Sequence, residues 1–275
     1  MNNLIFGVEL ITSKSNSTIL EIAKLSEKKH RVAKKQFLCD GIKLFKEAKK
    51  FGANIRYIVL ENEAKFDADI IEMVKECVEN GAKVLCVADY VFKKITAENS
   101  PQGIVTVCDF FAKNHLFSTI VKNSFFDNKR VLALESVRDP GNMGTICRNA
   151  VALGIDVLII SSDCADIYSP KVVRASMGAI FKLNILITDS LVDEISKIKE
   201  SGRRVLAAAL DKNALVLGKE KLSKADIVVL GNEGHGLSDA VVKECTNTIL
   251  IPMRENTESL NVATAAAILM WEISK

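Results

Sequence analysis

The chain has 275 residues, 48% of them hydrophobic and 26% charged, with a formal net charge of +3. At roughly 100–200 residues per domain, that length holds two domains or one large one, and the composition excludes a disordered, collagen-like or low-complexity chain. Its longest nearly unbroken apolar run, residues 262–271, is about half of the ~20 residues a membrane-spanning helix needs.

The N-terminus, Met1-Asn2-Asn3-Leu4, carries no basic region, and Glu9 interrupts the apolar stretch that follows; no signal peptide is expected. The 7 cysteines are odd in number, scattered and without a C-x-x-C pair. Neither a disulfide framework nor a metal site is expected, and a reducing cytoplasm is the compartment this usage implies.

In chain order, residues 18–28 and 41–51 predict helices, 56–60 a strand, 67–80 a helix closed by Gly81, 83–87 a strand, and 104–107 a strand after the turn Ser100-Pro101-Gln102-Gly103. These make a small α/β domain over 1–110, followed by a partly helical linker at 111–127. Charge is concentrated there. Residues 14–56 hold 12 Lys/Arg against 4 Asp/Glu, so the rest of the chain is net acidic. Such a patch fits a polyanion-binding surface or the solvated face of amphipathic helices equally well. With no aromatic stripe interleaved, phosphate contact suits it better than base reading.

From residue 128 strands and helices alternate. Apolar strands are predicted at 131–134, 157–160, 183–187, 205–210, 227–230 and 248–251, and helices at 143–153, 170–178, 190–201, 238–244 and 259–273. Strands apolar on both faces and separated by helices predict a parallel sheet covered on both sides. Ligands of such sheets bind beyond the carboxyl ends of the strands, so the loops after strands carry the functional signal.

Three loops stand out. After 131–134 comes Asp139-Pro140-Gly141-Asn142-Met143-Gly144-Thr145-Ile146-Cys147-Arg148, with Asn142 as expected N-cap and Arg148 on the following helix. Alone this is an ordinary strand-to-helix turn, and its Arg is as readily a surface ion pair as a catalyst. After 227–230 comes Gly231-Asn232-Glu233-Gly234-His235-Gly236. The spacing is not G-x-G-x-x-G, and no Walker Lys-Ser/Thr follows, so a dinucleotide or P-loop site is disfavoured. The third runs from Ile251-Pro252-Met253 through a polar stretch to Ser259-Leu260-Asn261-Val262, with Ser259 as expected N-cap. Asn261, in the first turn of a very apolar helix, needs a polar partner.

Together, Asn142-x-Gly144-x-x-x-Arg148, Gly231-x-Glu233-x-x-Gly236 and Ile251-Pro252-Met253…Ser259-Leu260-Asn261-Val262 resemble motifs 1, 2 and 3 of the SpoU/TrmH RNA ribose 2′-O-methyltransferases, in order and in spacing, over about residues 128–273. Ser169-Pro170-Lys171 through Ala179 resembles the segment between motifs 1 and 2, and Arg31…Phe37-Leu38-Cys39-Asp40-Gly41 resembles the family's ribosomal-protein-like substrate domain. The sequence departs from the family at Asp40, usually Glu, at Glu255, usually Gly, and at Ala263-Thr264, usually Ser and Val.

The resemblance implies a SPOUT α/β trefoil-knot domain with a parallel sheet over 128–275, S-adenosyl-L-methionine as cofactor, a homodimer with its active site near the subunit interface, and RNA as substrate. It places Leu230, Gly231, Gly236, Ile251, Met253 and Leu260 at the cofactor. It puts Arg148, Asn142, Glu233, Ser259 and Asn261 at the reaction, with Arg148 as a fixed cation for the developing alkoxide or its neighbouring phosphate. His235 falls at a variable family position and is read as a loop residue. A separate N-terminal domain favours ribosomal RNA of the 23S type over tRNA. The alternatives are a tRNA 2′-O-methyltransferase, a SPOUT enzyme of base nitrogens, and a non-catalytic RNA- or ribosome-binding protein. The last has no need of all five polar residues.

Overall fold

In a computed structural model the described residues are 1–111, 128–254 and 259–275. From 112 onward the expected linker lies outside them, as does Glu255. The chain divides into two compact units, one formed by Met1–Phe111 with Asp166–Phe181, the other by 112–165 with 182–275.

In the first unit, α1 (Asn2–Phe6), β1 (Leu10–Ile11), α2 (Ser17–Lys24), α3 (Lys28–Lys34), β2 (Gln36–Asp40), α4 (Ile42–Lys50), β3 (Ile55–Glu61), α5 (Ala68–Glu79), β4 (Lys83–Val87), α6 (Asp89–Phe92) and β5 (Ile104–Asp109) build a sheet of order β1-β4-β3-β5-β2. β1, β4 and β3 run parallel; β5 is antiparallel to β3 and to β2. Strand alternation splits the core between the two faces. Val59, Val105 and Val107 pack with Ile19 and Ile22 of α2, with Leu25 just after it, and with α6. Ile58, Leu60 and Ile104 pack with Phe45 of α4 and with Ile70 and Val74 of α5.

Three expectations change in this unit. The predicted helix 18–28 is α2 alone, and a second helix, α3, follows a break at residues 25–27. β2, not anticipated, is the buried Phe37-Leu38-Cys39 run paired with β5. Arg31, counted in the basic patch, is only 3% exposed: it donates to Leu25 O, Ser26 O and Asp166 Oδ2. The segment 166–181 supplies α8 (Pro170–Ala175) and Tyr168, which stacks on Phe110 with centroids 3.8 Å apart and joins Phe37, Phe111 and Phe181 in one aromatic cluster.

In the second unit, β6 (Val131–Leu134), α7 (Pro140–Ala152), β7 (Val157–Ser161), β8 (Asn184–Thr188), α9 (Leu191–Glu200), β9 (Val205–Ala208), β10 (Leu215–Val216), β11 (Ile227–Leu230), α10 (Asp239–Glu244), β12 (Asn247–Leu250) and α11 (Val262–Ser274) form an α/β sandwich. The sheet has order β10-β12-β9-β11-β6-β7-β8, and every pair in it is parallel. Every strand expected after residue 128 is present within two residues at each end, and β10 is added. One face packs on α9 and α10 through Ile195, Ile198, Val241 and Cys245. α7 packs along α11, which also contacts β11.

Two helix starts differ from expectation. α7 begins at Pro140 and is capped by Asp139, whose Oδ1 accepts from Asn142 N at 2.8 Å; proline is pre-set for a first helical position. α11 begins at Val262 and is capped by Asn261, not Ser259. The first shift frees the Asn142 side chain for tertiary contact, and the second makes Asn261 the cap while leaving its Nδ2 to donate elsewhere.

Candidate active site

β6 and β11 are neighbours in register, Leu134 beside Leu230, so the loops that leave them emerge side by side. Glu135 N continues the ladder to Leu230 O at 2.8 Å. The first loop then turns through Ser136, whose φ of 54° puts it in the left-handed region, and reaches the capping Asp139.

The second loop is a tight one. Asn232 and Gly236 exchange both backbone hydrogen bonds, at 2.9 and 3.0 Å. Asn232 Oδ1 accepts from Gly234 N and His235 N, and its Nδ2 donates to Ser136 O at 2.8 Å. Glycine at 231 is required by close approach: a Cβ there would lie 2.3 Å from the Gly236 carbonyl carbon and 2.4 Å from Leu237 N. Gly236 has φ +70°, with open space around it. Ser238, at the end of the loop, caps α10 and donates to Glu135. Asn232 and Glu135 were not singled out in the sequence; their only signal is polarity directly after an apolar strand.

The three loops meet in a single chain of side chains. Asn261 Oδ1 accepts from Ala263 N and Thr264 N; its Nδ2 donates to Asn142 Oδ1 at 3.0 Å; Asn142 Nδ2 donates to Glu233 Oε1 at 2.9 Å. The polarity of this relay is fixed at both ends, because helix amides only donate and a carboxylate only accepts. Asn142, Glu233 and Asn261, separated by as many as 119 residues, are therefore brought together as the sequence motifs require.

Arg148 is not in that cluster. Six residues along α7 from Asn142, at about 100° per residue, it lies roughly 120° round the helix. It is exposed and forms no ion pair among the described residues. Ser259 is exposed and makes no side-chain hydrogen bond among the described residues. Leu230 is buried; Gly231, Ile251, Met253 and Leu260 are half-buried and Gly236 is exposed. β12 ends where Leu250 O accepts from Leu217 N at 3.0 Å. Past it, the peptide groups of Ile251, Met253 and Leu260, like those of Gly231, enter no hydrogen bond among the described residues. Half-buried peptide groups beside apolar side chains fit a cofactor with an aromatic, hydrogen-bonding base, as S-adenosyl-L-methionine has.

Thiol chemistry has no foothold. All 7 cysteines are free and buried, and burial pushes Cys147 and Cys245 up to about 12 and Cys86 to about 11. No group of three or more His, Cys, Asp or Glu among the described residues is arranged to hold a metal. No helix among them is long and apolar enough to cross a membrane.

The chain is similar to known proteins along nearly all of its length. The chain is 28% identical over 263 residues to the 23S rRNA (guanosine(2553)-2′-O)-methyltransferase of Bacillus subtilis, covering 96% of this chain and 98% of that protein. It is 25% identical over 257 residues to the 23S rRNA (uridine(2479)-2′-O)-methyltransferase of Streptomyces viridochromogenes, covering 91% and 86%. Its fold superposes on the S-adenosylmethionine-bound rRNA methyltransferase of Sinorhizobium meliloti with a TM-score of 0.83, at 28% identity over 96% of each chain. The MRM3-like substrate binding domain matches residues 16–106, and the SpoU rRNA Methylase family matches residues 129–271. With more than half of its length in that match, and with all three motif loops joined in the structure, the chain belongs to the SpoU rRNA methylase family.

Proposed function

We propose that this protein transfers a methyl group from S-adenosyl-L-methionine to a ribose 2′-hydroxyl of 23S-type ribosomal RNA. The observation that carries the reading is the Asn261–Asn142–Glu233 relay, which joins the three loops where a parallel sheet binds its ligand. The names of the Bacillus, Streptomyces and Sinorhizobium proteins support the reaction and the RNA class.

When bound, the cofactor supplies an electrophilic methyl group on a sulfonium. The work of this chain is to align a weak nucleophile and to stabilise the charge that grows on it. The peptide groups of Gly231, Ile251, Met253 and Leu260 hold the cofactor, with Leu230 and Gly236 shaping its loop. Asn142 and Asn261 fix the loops and position the ribose, and Glu233 orients Asn142. Ser259 assists at the ribose. Arg148, a guanidinium that does not deprotonate in proteins, acts as a fixed cation on the alkoxide or the adjoining phosphate.

Residues 1–110 serve as the RNA substrate domain, 111–127 as linker and 128–275 as the methyltransferase domain, with a C-terminal knot. The protein works as a homodimer in the cytoplasm. Support for the dimer comes from α11, which leaves Trp271 55% exposed on the same helix that packs on the Arg148-bearing α7.

Mapping 2′-O-methyl groups in total RNA with and without the gene, alongside calorimetric titration of S-adenosyl-L-methionine, tests the proposal. Loss of one 23S rRNA methyl group with micromolar or tighter cofactor binding is expected. Loss of a tRNA methyl group instead overturns the substrate, and absence of cofactor binding favours the non-catalytic RNA-binding alternative.

A further inference from the structure

The first unit contains a cleft of about 200 Å³ between α2, the end of α3, and the strands β2 and β3. Its floor is apolar, made by the buried Ile22 and Leu25. One wall is Tyr57 on β3, half-buried, with a hydroxyl that makes no hydrogen bond among the described residues. Ser17 and Thr18, in the first turn of α2, line the rim, and their hydroxyls likewise have no partner among the described residues. Gln36 donates its Nε2 to Asp109 Oδ1 at 3.2 Å and keeps Oε1 free of any donor among the described residues. Lys34 stands at the mouth, paired with Glu21 at 3.1 Å.

An apolar floor, one aromatic wall and a few convergent polar groups are the make-up of a small-ligand site. The volume is below the ~300–1,000 Å³ of sites for drug-sized molecules, so the fitting guest is a single planar ring system. The surroundings select its charge. Lys28, Lys29, Lys34 and Lys35 are exposed on and just after α3, a footprint that attracts a phosphate backbone. Every residue of the cleft also falls inside the 16–106 match to a substrate-binding domain.

We propose that this cleft receives one unpaired nucleobase of the RNA substrate, stacked on Tyr57 and read at its edge by Gln36 with the Ser17 and Thr18 hydroxyls, while the α3 lysines hold the flanking phosphates. Unpaired bases stacked on aromatic side chains are the usual route to sequence recognition in RNA. The inference deepens the ribosomal-RNA reading by adding a contact in the first unit, outside the three motif loops.

The test uses the full-length protein and in vitro transcribed 23S rRNA. One base–aromatic stack is lost in Tyr57→Ala, so Kd for the RNA should rise about 10-fold or more. Tyr57→Phe keeps the ring and should stay within a few-fold of wild type. Ser17→Trp, at an exposed position, should plug the cleft and weaken binding similarly without lowering Tm. S-adenosyl-L-methionine affinity should be unchanged in all three. Ultraviolet crosslinking of the wild-type complex, read by mass spectrometry, should place a nucleotide on the peptide containing Tyr57. Unchanged Kd in Tyr57→Ala and Ser17→Trp, with crosslinks mapping elsewhere, overturns the proposal. Crosslinking at Tyr57 in a protein that methylates no RNA upholds the cleft and overturns the reaction, so the two failures are separable.

Discussion

Asn261 has two duties that one substitution can pull apart. Its Oδ1 caps α11 and its Nδ2 donates to Asn142. Asn261→Ala removes both and should cost about 1 kcal/mol of stability as a lost cap. Asn261→Asp keeps the capping oxygen but has no donor for Asn142 Oδ1, and aspartate is an accepted N-cap. Its melting temperature should stay near wild type while methyl transfer falls steeply; normal turnover in that variant would remove the relay from the mechanism. Arg148→Ala should lower single-turnover methyl transfer on the order of 100-fold, the scale of one preorganised oxyanion donor, and leave cofactor affinity within a few-fold. Arg148→Lys should rescue poorly, because an ammonium cannot make the planar two-pronged contact with a phosphate. Gly231→Ala should abolish cofactor binding in a titration, since its Cβ meets backbone rather than a movable side chain.

At the level of elements, α3 has two faces with different work. Its lysines Lys28, Lys29 and Lys34, with Lys35 beyond its end, are exposed. Replacing them together should weaken RNA binding and flatten its salt dependence, checked by Kd at several salt concentrations. Arg31 belongs outside that set. It is buried against Asp166, and Arg31→Ala should show as a fall in Tm of the kind that breaking a buried pair produces, on the order of 3 kcal/mol.

A second ion pair, with a buried carboxylate and a half-buried guanidinium, ties the start of β9 to the loop before β11. Arg204 Nε and Nη2 each lie 2.9 Å from an Asp226 oxygen, and Arg204 Nη1 is 2.6 Å from Glu220. Burial alone would raise the Asp226 carboxyl, but hydrogen bonds from Arg204 and Ser223 outweigh it and hold the group below its usual range. A lowered carboxylate stabilises the fold above its unfolded pKa of about 4, and that contribution disappears as pH falls through the lower native value. Stability measured by urea unfolding should therefore drop below about pH 4, and Asp226→Asn should flatten that limb.

Across the whole molecule, the packing of 166–181 limits how the chain can be cut. Tyr168, Val172, Val173 and Phe181 are buried within the first unit. A fragment beginning at residue 112 keeps all three motif loops but exposes those side chains. It should melt lower than the full chain and bind a hydrophobic dye, while retaining S-adenosyl-L-methionine binding and losing most activity on RNA. A soluble, dye-negative fragment with an unchanged Tm would show that the aromatic cluster contributes little.

Most of the strands of the second unit, and the three loops whose asparagines and glutamate meet, were legible in the sequence. Residues 131–134, 157–160 and 227–230 are apolar at every position, which only strands covered on both faces require, and the polar and glycine-rich segments directly after them marked the ligand end of the sheet. Asn261 was legible because a polar side chain at the edge of an apolar element must find a partner, whereas Asn142 and Glu233 stood out only through the resemblance of their loops to the family's motifs. Tertiary structure alone decided which partner each finds. That Asn261, besides capping α11, donates to Asn142, 119 residues away, follows from no local pattern. That Arg31 is buried depends on Asp166, 135 residues away, and no local charge count distinguishes it from the exposed lysines beside it. The strand order β10-β12-β9-β11-β6-β7-β8 and the allegiance of 166–181 to the first unit were equally invisible. Periodicity reports whether a residue faces a core, and says nothing of which distant segment supplies the other side.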